Sequence, residues 1–442
     1  MSARETALLT LSAMERQNAW SNQYLKKAIR KANLDQRDAA LATRICFGVL
    51  QNRMLLDFYL GHFSNVKLEK MESKVRNNLR IGLYQMLFLT RVPQNAAVNE
   101  AVELTKKHCK NPRAPGMVNG ILRNLARNLD QLPLLEQGDP LQYLSVRYSH
   151  PLWLVQEFAS LLPEKEVEQL LACDNSEPPT MVQVNTCLCT TAAAVMTLEA
   201  EGAAVTRHPW LEGCLMLSDM GDLEKLRAFQ DGLIYVQDPA ARMAVMAAGL
   251  KPGCYVLDAC AAPGGKSFAA ALDMEGRGEV VSCDIHAHKK KLIEVGAERL
   301  RLDCITVVTE DASKPKTEWR EAFDAVLADV PCSGLGVIRK KPEIRYKNPT
   351  EMVELPHIQS KILNNVAQYV KPGGILLYST CTLRREENQD RVEEFLARHP
   401  EFHRESFSLP LPVGKIEDGM LTLWPHQTNT DGFFIARFRK GI

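Results

Sequence analysis

A strand, a tight turn of small residues and the start of a helix follow one another in Val256-Leu257-Asp258-Ala259-Cys260-Ala261-Ala262-Pro263-Gly264-Gly265-Lys266-Ser267. The apolar run ends at Asp258, and two glycines then precede Lys266. Small residues let the backbone approach a ligand closely, and the amides at a helix N-terminus favour an anionic or electron-rich group. This stretch therefore predicts an α/β domain with a ligand site at the turn.

The turn differs from the common nucleotide-binding motifs. A triphosphate-binding loop needs a glycine five residues before its Gly-Lys-Ser, and Cys260 occupies that position. The dinucleotide fingerprint Gly-x-Gly-x-x-Gly is also absent, so we predict an adenosine-type ligand without a pyrophosphate. Asp284 ends the next strand and is expected to bind ribose hydroxyls, while Asp311 follows the third strand and could reach an adenine edge. The alternative for each acid is a helix N-cap or turn residue.

The order of strand, turn and helix repeats from Lys251 onward and predicts a doubly wound α/β domain. The last strand follows a long irregular stretch rather than a crossover helix, so it is expected to be antiparallel. We predict strands at 254–259, 279–284, 305–309, 325–329, 374–380 and 432–438, and helices at 266–274, 287–301, 350–370 and 385–398.

Two cysteines follow predicted buried strands of this domain. Cys332 comes shortly after the apolar run 325–328, and Cys381 shortly after the run 375–378. Ligands of open α/β sheets bind just outside the carboxyl ends of the strands. Two thiols at that edge suggest thiolate chemistry, although either cysteine could instead be a small buried hydrophobic residue.

The N-terminal part of the chain has a different pattern and a different charge. Apolar residues recur at helical spacing over residues 1–130, and a linker rich in Pro, Gly and Asp follows at 133–140. Residues 141–250 mix short helices with short strands such as 181–184. The net charge is +11 over residues 1–130 and −10 over the remainder. A basic module of this kind is typical of polyanion binding, and the alternative is a solvated helical surface.

Composition and cysteine usage suggest a cytoplasmic protein. The 442 residues are 45% hydrophobic and 24% charged, and the twelve cysteines form no regular framework. No apolar run approaches the roughly 20 residues of a membrane span. We therefore expect reduced thiols, a cytoplasmic location and no membrane partner, and the scattered histidines predict no metal site.

Several motifs, in a fixed order, resemble the Sun/Fmu-type RNA cytosine-5 methyltransferases, which use S-adenosylmethionine. They are Asp258-Ala-Cys-Ala-Ala-Pro-Gly-Gly-Lys266, Asp329-Val-Pro-Cys-Ser-Gly334, and Thr380-Cys381 followed by Glu386-Glu387-Asn388. Residues 147–151, 236–238 and 431–434 are similar to the same family, and residues 47–50 and 118–123 resemble the antiterminator NusB fold. The combination is typical of the bacterial enzyme that methylates a cytosine of 16S ribosomal RNA.

The resemblance implies a multidomain protein. We expect an all-α NusB-like RNA-binding domain over residues 1–132 and a small α+β linker or RNA-binding subdomain over 141–250. An α/β Rossmann-like class I S-adenosylmethionine-dependent methyltransferase domain is expected over 251–442. The implied partner is 16S ribosomal RNA or a small-subunit assembly intermediate, and we expect the protein to be a monomer. The alternatives are another RNA such as tRNA, a methyltransferase for DNA or protein, and a non-catalytic ribosome-assembly factor.

The resemblance also implies roles for individual residues. Cys381 is the expected nucleophile, and Cys332 the residue that assists proton removal or product release. In DNA cytosine-5 enzymes the proline-cysteine motif holds the nucleophile, so Cys332 is the alternative. Asp329 is expected to hydrogen-bond the cytosine, and Lys266 to approach the base. The residues expected to bind the cofactor are Cys260, Ala261, Ala262, Pro263, Gly264, Gly265, Lys266, Asp284, Asp311 and Asp329.

A basic segment directly follows the Cys332 motif. It places five cations and an aromatic residue next to the expected active edge, in a part of the chain that is otherwise acidic. We predict that these cations bind RNA phosphates, and the alternative is a plain surface loop. The predicted RNA-binding residues are Arg339, Lys340, Lys341, Arg345 and Lys347.

Overall fold

A computed structural model describes residues 1–17, 21–136 and 138–442. The chain forms two compact units. The first consists of Met1–Ser176 with Ile338–Lys347, and the second of Glu177–Val337 with Asn348–Ile442. In the described ranges no helix combines the length and the apolar character needed to cross a bilayer.

The first unit is built from α-helices, which confirms the prediction of an all-α N-terminal domain. Helical spacing of apolar residues buries one face of most helices, and Leu8, Ile45, Leu56 and Leu79 lie in the shared core. The helices are α1 Ala3–Gln17, α2 Ser21–Ala32, α3 Gln36–Gln51, α4 Arg53–Phe63, α5 Ser73–Phe88, α6 Gln94–His108, α7 Ala114–Arg127, α8 Pro140–Tyr148, α9 Leu152–Ala159 and α10 Glu164–Asp174.

The second unit begins with a small antiparallel sheet. Its strands are β1 Thr180–Val184, β2 Ala204–Arg207, β3 Cys214–Ser218 and β4 Ile234–Val236, in the order β2-β3-β1-β4. The helices of this part are α11 Thr191–Ala200, α12 Arg227–Gln230 and α13 Pro239–Ala248. Strand β1 confirms the predicted strand at 181–184, and the mixture of strands and helices confirms the α+β character of the region.

An eight-stranded sheet forms the body of the second unit. Its strands are β5 Tyr255–Asp258, β6 Glu279–Asp284, β7 Ile305–Thr309, β8 Phe323–Asp329, β9 Val370–Thr380, β10 Phe402–Arg404, β13 Met420–Leu423 and β14 Phe433–Lys440. A separate two-stranded sheet pairs β11 Phe407–Ser408 with β12 Lys415–Ile416. The helices are α14 Gly265–Asp273, α15 Ala287–Leu300, α16 Leu355–Val366, α17 Gln389–Arg398 and α18 Pro425–Thr428.

The large sheet has the order β10-β14-β9-β8-β5-β6-β7, with β13 also paired to β14. Strands β5 to β9 are parallel, and β14 is antiparallel to β9, as the sequence predicted. Strand β5 lies between β6 and β8, so the order of the strands reverses there. Ligands of open α/β sheets bind in the crevice at such a reversal, outside the carboxyl ends of the strands.

Alternate strand residues bury opposite faces of the sheet. Val256 packs in a core with residues of α13, α14 and α15, whereas Leu257 packs in a core with residues of α16 and α17. The two cores cover both faces, so the central strands are continuously apolar.

The predicted strands all occur, and the differences lie at the helix ends and in short strands. The helix predicted at 350–370 is confined to α16, because one-turn 3₁₀ segments flank it at Pro349–Met352 and Ala367–Tyr369. Helix α17 begins at Gln389 rather than 385, since Arg385–Glu387 forms another 3₁₀ turn. Strands β10 and β13 were not predicted. They are short and exist through pairing with β14.

Candidate active site

Three strand ends converge on one edge of the large sheet. Asp258 ends β5, Asp329 ends β8, and Cys381 directly follows β9. The parallel register places Asp258 opposite Leu327 and Asp329 opposite Ser379, so the segments after the strands leave the sheet close together. All three of these residues belong to the second unit.

The structure brings the two predicted catalytic thiols into contact. The Sγ atoms of Cys332 and Cys381 are 3.3 Å apart, and both side chains are partly buried. The hydrogen bond to Cys381 raises the pKa of the Cys332 thiol well above its usual value. Burial and the charges of Glu387 and Asp329 raise it further. Cys332 is thus held in the thiol form.

Lys266 and Asp329 form an ion pair beside the thiols. Lys266 Nζ lies 2.7 Å from Asp329 Oδ2, and Ser379 Oγ donates to the other oxygen, Oδ1, at 3.0 Å. Burial lowers the pKa of Lys266, but the carboxylates of Asp329 and Asp258 outweigh it, so the net pKa is raised. The ammonium group is therefore charged at the edge where the thiols meet.

The Phe268 ring and a hydrogen bond from Gln237 restrict the glycine turn that follows β5. Gly264 has φ +113°, and a Cβ atom there would lie 2.4 Å from the Phe268 ring, so this conformation favours glycine. Gln237 Nε2 donates to the Gly265 carbonyl oxygen at 2.9 Å. Burial raises the pKa of Cys260 in the same turn well above its usual range, so this thiol is neutral.

Asp258 is buried under the turn. Its Oδ2 accepts from Ser267 Oγ at 2.7 Å, and Ser282 Oγ donates to that Ser267 hydroxyl at 2.7 Å. Its Oδ1 lacks a hydrogen-bond partner among the described residues. Burial raises the pKa of Asp258 to about 6. The residue shapes the turn and offers one carboxyl oxygen without a partner in the described part of the chain.

A cavity of about 590 Å³ opens at the ends of β5, β6 and β7. This volume is in the range of small-molecule sites. Asp311 lines the cavity, and hydrogen bonds from Ser313 lower the pKa of its carboxyl group. Asp284 is buried, and its neighbours in the chain, Cys283 and Ile285, line the cavity. Its carboxyl group accepts a hydrogen bond from the His286 amide at 2.9 Å. The other walls include Leu257, Ala259, Cys283, Ile285, Ala312, Trp319, Val366 and Tyr369.

The structure corrects one of the predicted RNA contacts. The segment Ile338–Lys347 belongs to the first unit, where Arg345 is fully buried. Arg345 Nη1 donates to Asn175 Oδ1 at 2.7 Å, and both of its Nη atoms point at backbone carbonyl oxygens. Its guanidinium therefore hydrogen-bonds groups of the first unit and is not exposed to bind a phosphate. Of the other predicted cations, Lys341 is exposed, and Arg339, Lys340 and Lys347 are half-buried.

Sequence reasoning missed three polar residues of the edge. Ser379 lies inside an apolar strand, and Gln359 is one of several polar residues on α16, so neither had a sequence signal. Glu387 belongs to the motif Glu386-Glu387-Asn388 quoted above, but nothing in the sequence indicated what its side chain does. Its burial and its bonds to the Cys332 turn became visible in the structure.

Comparison with known proteins agrees with these observations. Residues 245–439 match the family described as 16S rRNA methyltransferase RsmB/F, and residues 1–127 match the NusB family. Residues 150–224 match the ferredoxin-like domain of RsmF/B-like methyltransferases, which specifies the fold of the α+β region.

Similar proteins cover nearly the whole chain. The probable ribosomal RNA small subunit methyltransferase B of Bacillus subtilis is 38% identical over 99% of both chains. Ribosomal RNA small subunit methyltransferase B of Vibrio cholerae is 34% identical over 91% of this chain and 90% of its own. The crystal structure of PH0851 superimposes with a TM-score of 0.83 at 25% identity, covering 100% of this chain and 99% of that one. The chain therefore belongs to the RsmB/F family of 16S rRNA methyltransferases.

Proposed function

We propose that this protein transfers a methyl group from S-adenosylmethionine to C5 of a cytosine in 16S ribosomal RNA, through a covalent bond between Cys381 and C6. The observation that carries the proposal is the contact of the two thiols beside the Lys266–Asp329 ion pair. C5 of cytosine is a weak nucleophile, and a thiolate added at C6 makes it reactive. The site offers a thiol for this addition and charged groups to support it.

The cavity and the glycine turn fit the cofactor. We assign the ribose hydroxyls to Asp284 and an adenine edge to Asp311, and the small residues 260–265 would hold the amino acid portion. The buried Asp258 oxygen without a partner in the described part of the chain is a further acceptor at the turn. When bound, S-adenosylmethionine supplies an electrophilic methyl group on a sulfonium.

Addition begins at Cys381. Its thiolate forms the S–C6 bond, and the electron pair of the C5–C6 double bond moves so that C5 becomes nucleophilic. Asp329 accepts a hydrogen bond from the amino group of cytosine, or donates one to N3 after it has taken a proton from the Lys266 ammonium 2.7 Å away. The negative charge that develops on the ring is thus stabilised by the positive charge or the proton that the ion pair supplies.

Release requires loss of the C5 proton and of the sulfur. After C5 has gained the methyl group, its proton passes to water. The C–H electron pair then restores the C5–C6 double bond as the C6–S bond breaks. Cys332 is a thiol 3.3 Å from Cys381 Sγ, so it can hydrogen-bond the departing sulfur. In this way Cys332 assists release of the product.

RNA would be bound by the basic N-terminal part. A target base must be unstacked before C6 is accessible to a thiol. We assign RNA affinity and register to residues 1–132 and 141–250, and the chemistry to residues 251–442. The net charge of +11 over residues 1–130 suits a phosphate backbone.

Separate cysteine variants test the proposed roles. We expect Cys381→Ala to lower the methylation rate by more than about 1000-fold, because the nucleophile is lost. Cys332→Ala should form the adduct but release it slowly, so that covalent protein–RNA complex accumulates on a denaturing gel. The measurement uses methyl-tritiated cofactor and a 16S transcript, with Cys187→Ala, at an exposed cysteine, as the control.

The outcomes separate the alternatives. Adduct from the Cys381 variant instead of the Cys332 variant would reverse the roles of the two thiols. Equal labelling of DNA of the same sequence, or preferential labelling of tRNA, would contradict the 16S substrate. RNA binding without methyl transfer by the parent protein would leave a non-catalytic assembly factor.

A further inference from the structure

A buried carboxylate supports the turn that carries Cys332. Glu387 is fully buried, six residues after Cys381 in the chain. Its Oε2 accepts from the Ser333 amide at 2.9 Å and from Gln359 Nε2 at 2.9 Å. Its other oxygen, Oε1, lies 3.8 Å from Arg384 Nη1. Burial of a carboxylate is costly unless hydrogen bonds compensate it, so these contacts indicate a specific role.

Gln359 also stabilises the turn that carries Cys332. The same Nε2 group that donates to Glu387 also donates to the Pro331 carbonyl oxygen at 2.9 Å. Pro331 and Ser333 flank Cys332, so Glu387 and Gln359 together hold the backbone on both sides of the thiol. This arrangement fixes the position of Cys332 without contacting its sulfur.

The residues that follow the two cysteines are also joined. Ser333 Oγ lies 2.7 Å from Thr382 Oγ1, and Gly336 N donates to the Cys381 carbonyl oxygen at 2.9 Å. Each bond links the segment after β8 with the segment after β9. The contact of the thiols at 3.3 Å therefore follows from backbone and hydroxyl bonds that align both segments.

The charges around the two thiols are unequal. Cys332 lies in the field of two carboxylates, Glu387 and Asp329, and next to the neutral Tyr378 hydroxyl and the Cys381 thiol. Lys266 interacts electrostatically with Cys381. A nearby anion disfavours a thiolate and a nearby cation favours it. The two carboxylates thus disfavour ionisation of Cys332, whereas Lys266 favours a thiolate at Cys381.

We propose that Glu387 is a positioning residue that fixes the Cys332 turn and, through its negative charge, keeps Cys332 a thiol while Cys381 ionises to act as nucleophile. The proposal deepens the methyl transfer proposed above and rests on it for the role of Cys381. According to this proposal, the negative charge of Glu387 is what gives the Cys332 and Cys381 thiols different roles. Arg384 Nη1 lies 3.8 Å from Glu387 Oε1, beyond hydrogen-bond distance.

Alkylation of Cys332 tests the charge without any methyl transfer. In a Cys381→Ser background, the rate at which iodoacetamide modifies Cys332 is followed by mass spectrometry from pH 6 to 10. Glu387→Gln keeps the size and an acceptor oxygen but removes the charge, so the rate profile should move to lower pH. At pH 8 we expect roughly tenfold faster modification, since tenfold corresponds to a change of one in pKa.

Two further variants separate charge from position. Gln359→Ala leaves the charge of Glu387 in place, so the pH profile of Cys332 should stay within about half a pH unit of its background, although kcat for methylation falls. Glu393→Gln, at an exposed glutamate of α17, is the matched control and should change neither quantity. In the otherwise intact protein, Glu387→Gln should lower kcat and leave KM for the cofactor unchanged.

The results that contradict the inference are distinct from those that contradict methylation. An unchanged alkylation profile for Glu387→Gln, or an equal shift for Gln359→Ala, would overturn the role of the charge. If the profile moves as expected but Cys332→Ala accumulates no adduct with RNA, the proposed catalytic cycle is wrong while the electrostatic role stands.

Discussion

At the residue scale, two side chains of the sheet edge owe their protonation state to the groups that surround them. Asp258 is fully buried, and burial raises its pKa to about 6, even though Ser267 and Lys266 favour the charged form. Cys332 is likewise held as a thiol by its surroundings. The sequence placed both residues at the edge, but their protonation depends on neighbours that are distant in the chain.

Asp258 should make the stability of the protein depend on pH. The folded state binds the Asp258 proton more tightly than the unfolded state does, because the pKa of Asp258 is higher in the folded state. The free energy of unfolding should therefore decrease as the pH rises from about 4 to about 6. The rise from 3.8 to about 6 corresponds to about 3 kcal/mol. We expect Asp258→Asn to remove this dependence, measured as the free energy of unfolding in urea from pH 4 to 7.

The control for this measurement is Asp303→Asn, at an exposed carboxylate, which should follow the pH dependence of the parent protein. The same slope for parent protein and Asp258→Asn would show that Asp258 is not protonated in the folded state near pH 5.

At the scale of elements, the segment after β8 and the segment before β14 cross at two glycines. Gly432 N donates to the Gly336 carbonyl oxygen at 2.8 Å. A Cβ atom on Gly336 would lie 2.0 Å from the Gly432 carbonyl oxygen and 2.9 Å from the Cys381 carbonyl oxygen. Three backbone segments thus approach closely here, although Gly336 and Gly432 are about a hundred residues apart in the chain.

Gly336→Ala should therefore disturb the site more than the fold. The added methyl group forces the backbone beside Cys381 to move, which we expect to cost about 1–3 kcal/mol of stability and to lower kcat by at least about tenfold. Thermal unfolding and methyl transfer measure the two effects. Gly61→Ala, in α4 with open space around the glycine, is the control and should keep full activity. Full activity of Gly336→Ala would show that the crossing does not position Cys381.

At the scale of the whole molecule, the chain leaves the second unit after Val337 and returns to it at Asn348. The ten residues between them are part of the first unit. Arg345 is buried there, and Tyr346 lies under the Arg53 guanidinium at 3.4 Å with its hydroxyl donating to the Leu50 carbonyl oxygen. The segment predicted as an RNA loop thus has a structural function in the helical unit.

Arg345→Ala should destabilise the first unit rather than weaken RNA contacts directly. Loss of the guanidinium leaves buried acceptors without donors, which we expect to cost about 3 kcal/mol, measured by chemical unfolding. The salt dependence of RNA binding by the folded variant should be unchanged. Lys341→Ala, at an exposed cation, is the matched control for stability and should change it by less than about 0.5 kcal/mol. A smaller salt dependence for Arg345→Ala, by about one phosphate contact, would restore the phosphate prediction.

The sequence by itself determined the all-α and α/β parts, the six main strands, the antiparallel final strand and the location of the thiols at strand ends. These features depend on local patterns: apolar runs, glycine turns and helical spacing within a few residues. The short strands β10 and β13 were missed because they depend on pairing with β14, elsewhere in the chain. The ends of α16 and α17 were missed because 3₁₀ turns replace the α-helix there.

Only the tertiary structure decided which side chains meet. The Ser333–Glu387 bond spans 54 residues, and the Arg345–Asn175 bond spans 170. A cation in a basic segment looks the same in the sequence whether it faces solvent or a cluster of carbonyl oxygens. Burial and partners are properties of packing between distant segments, and they determined the structural role of Arg345 and the surroundings of the two thiols.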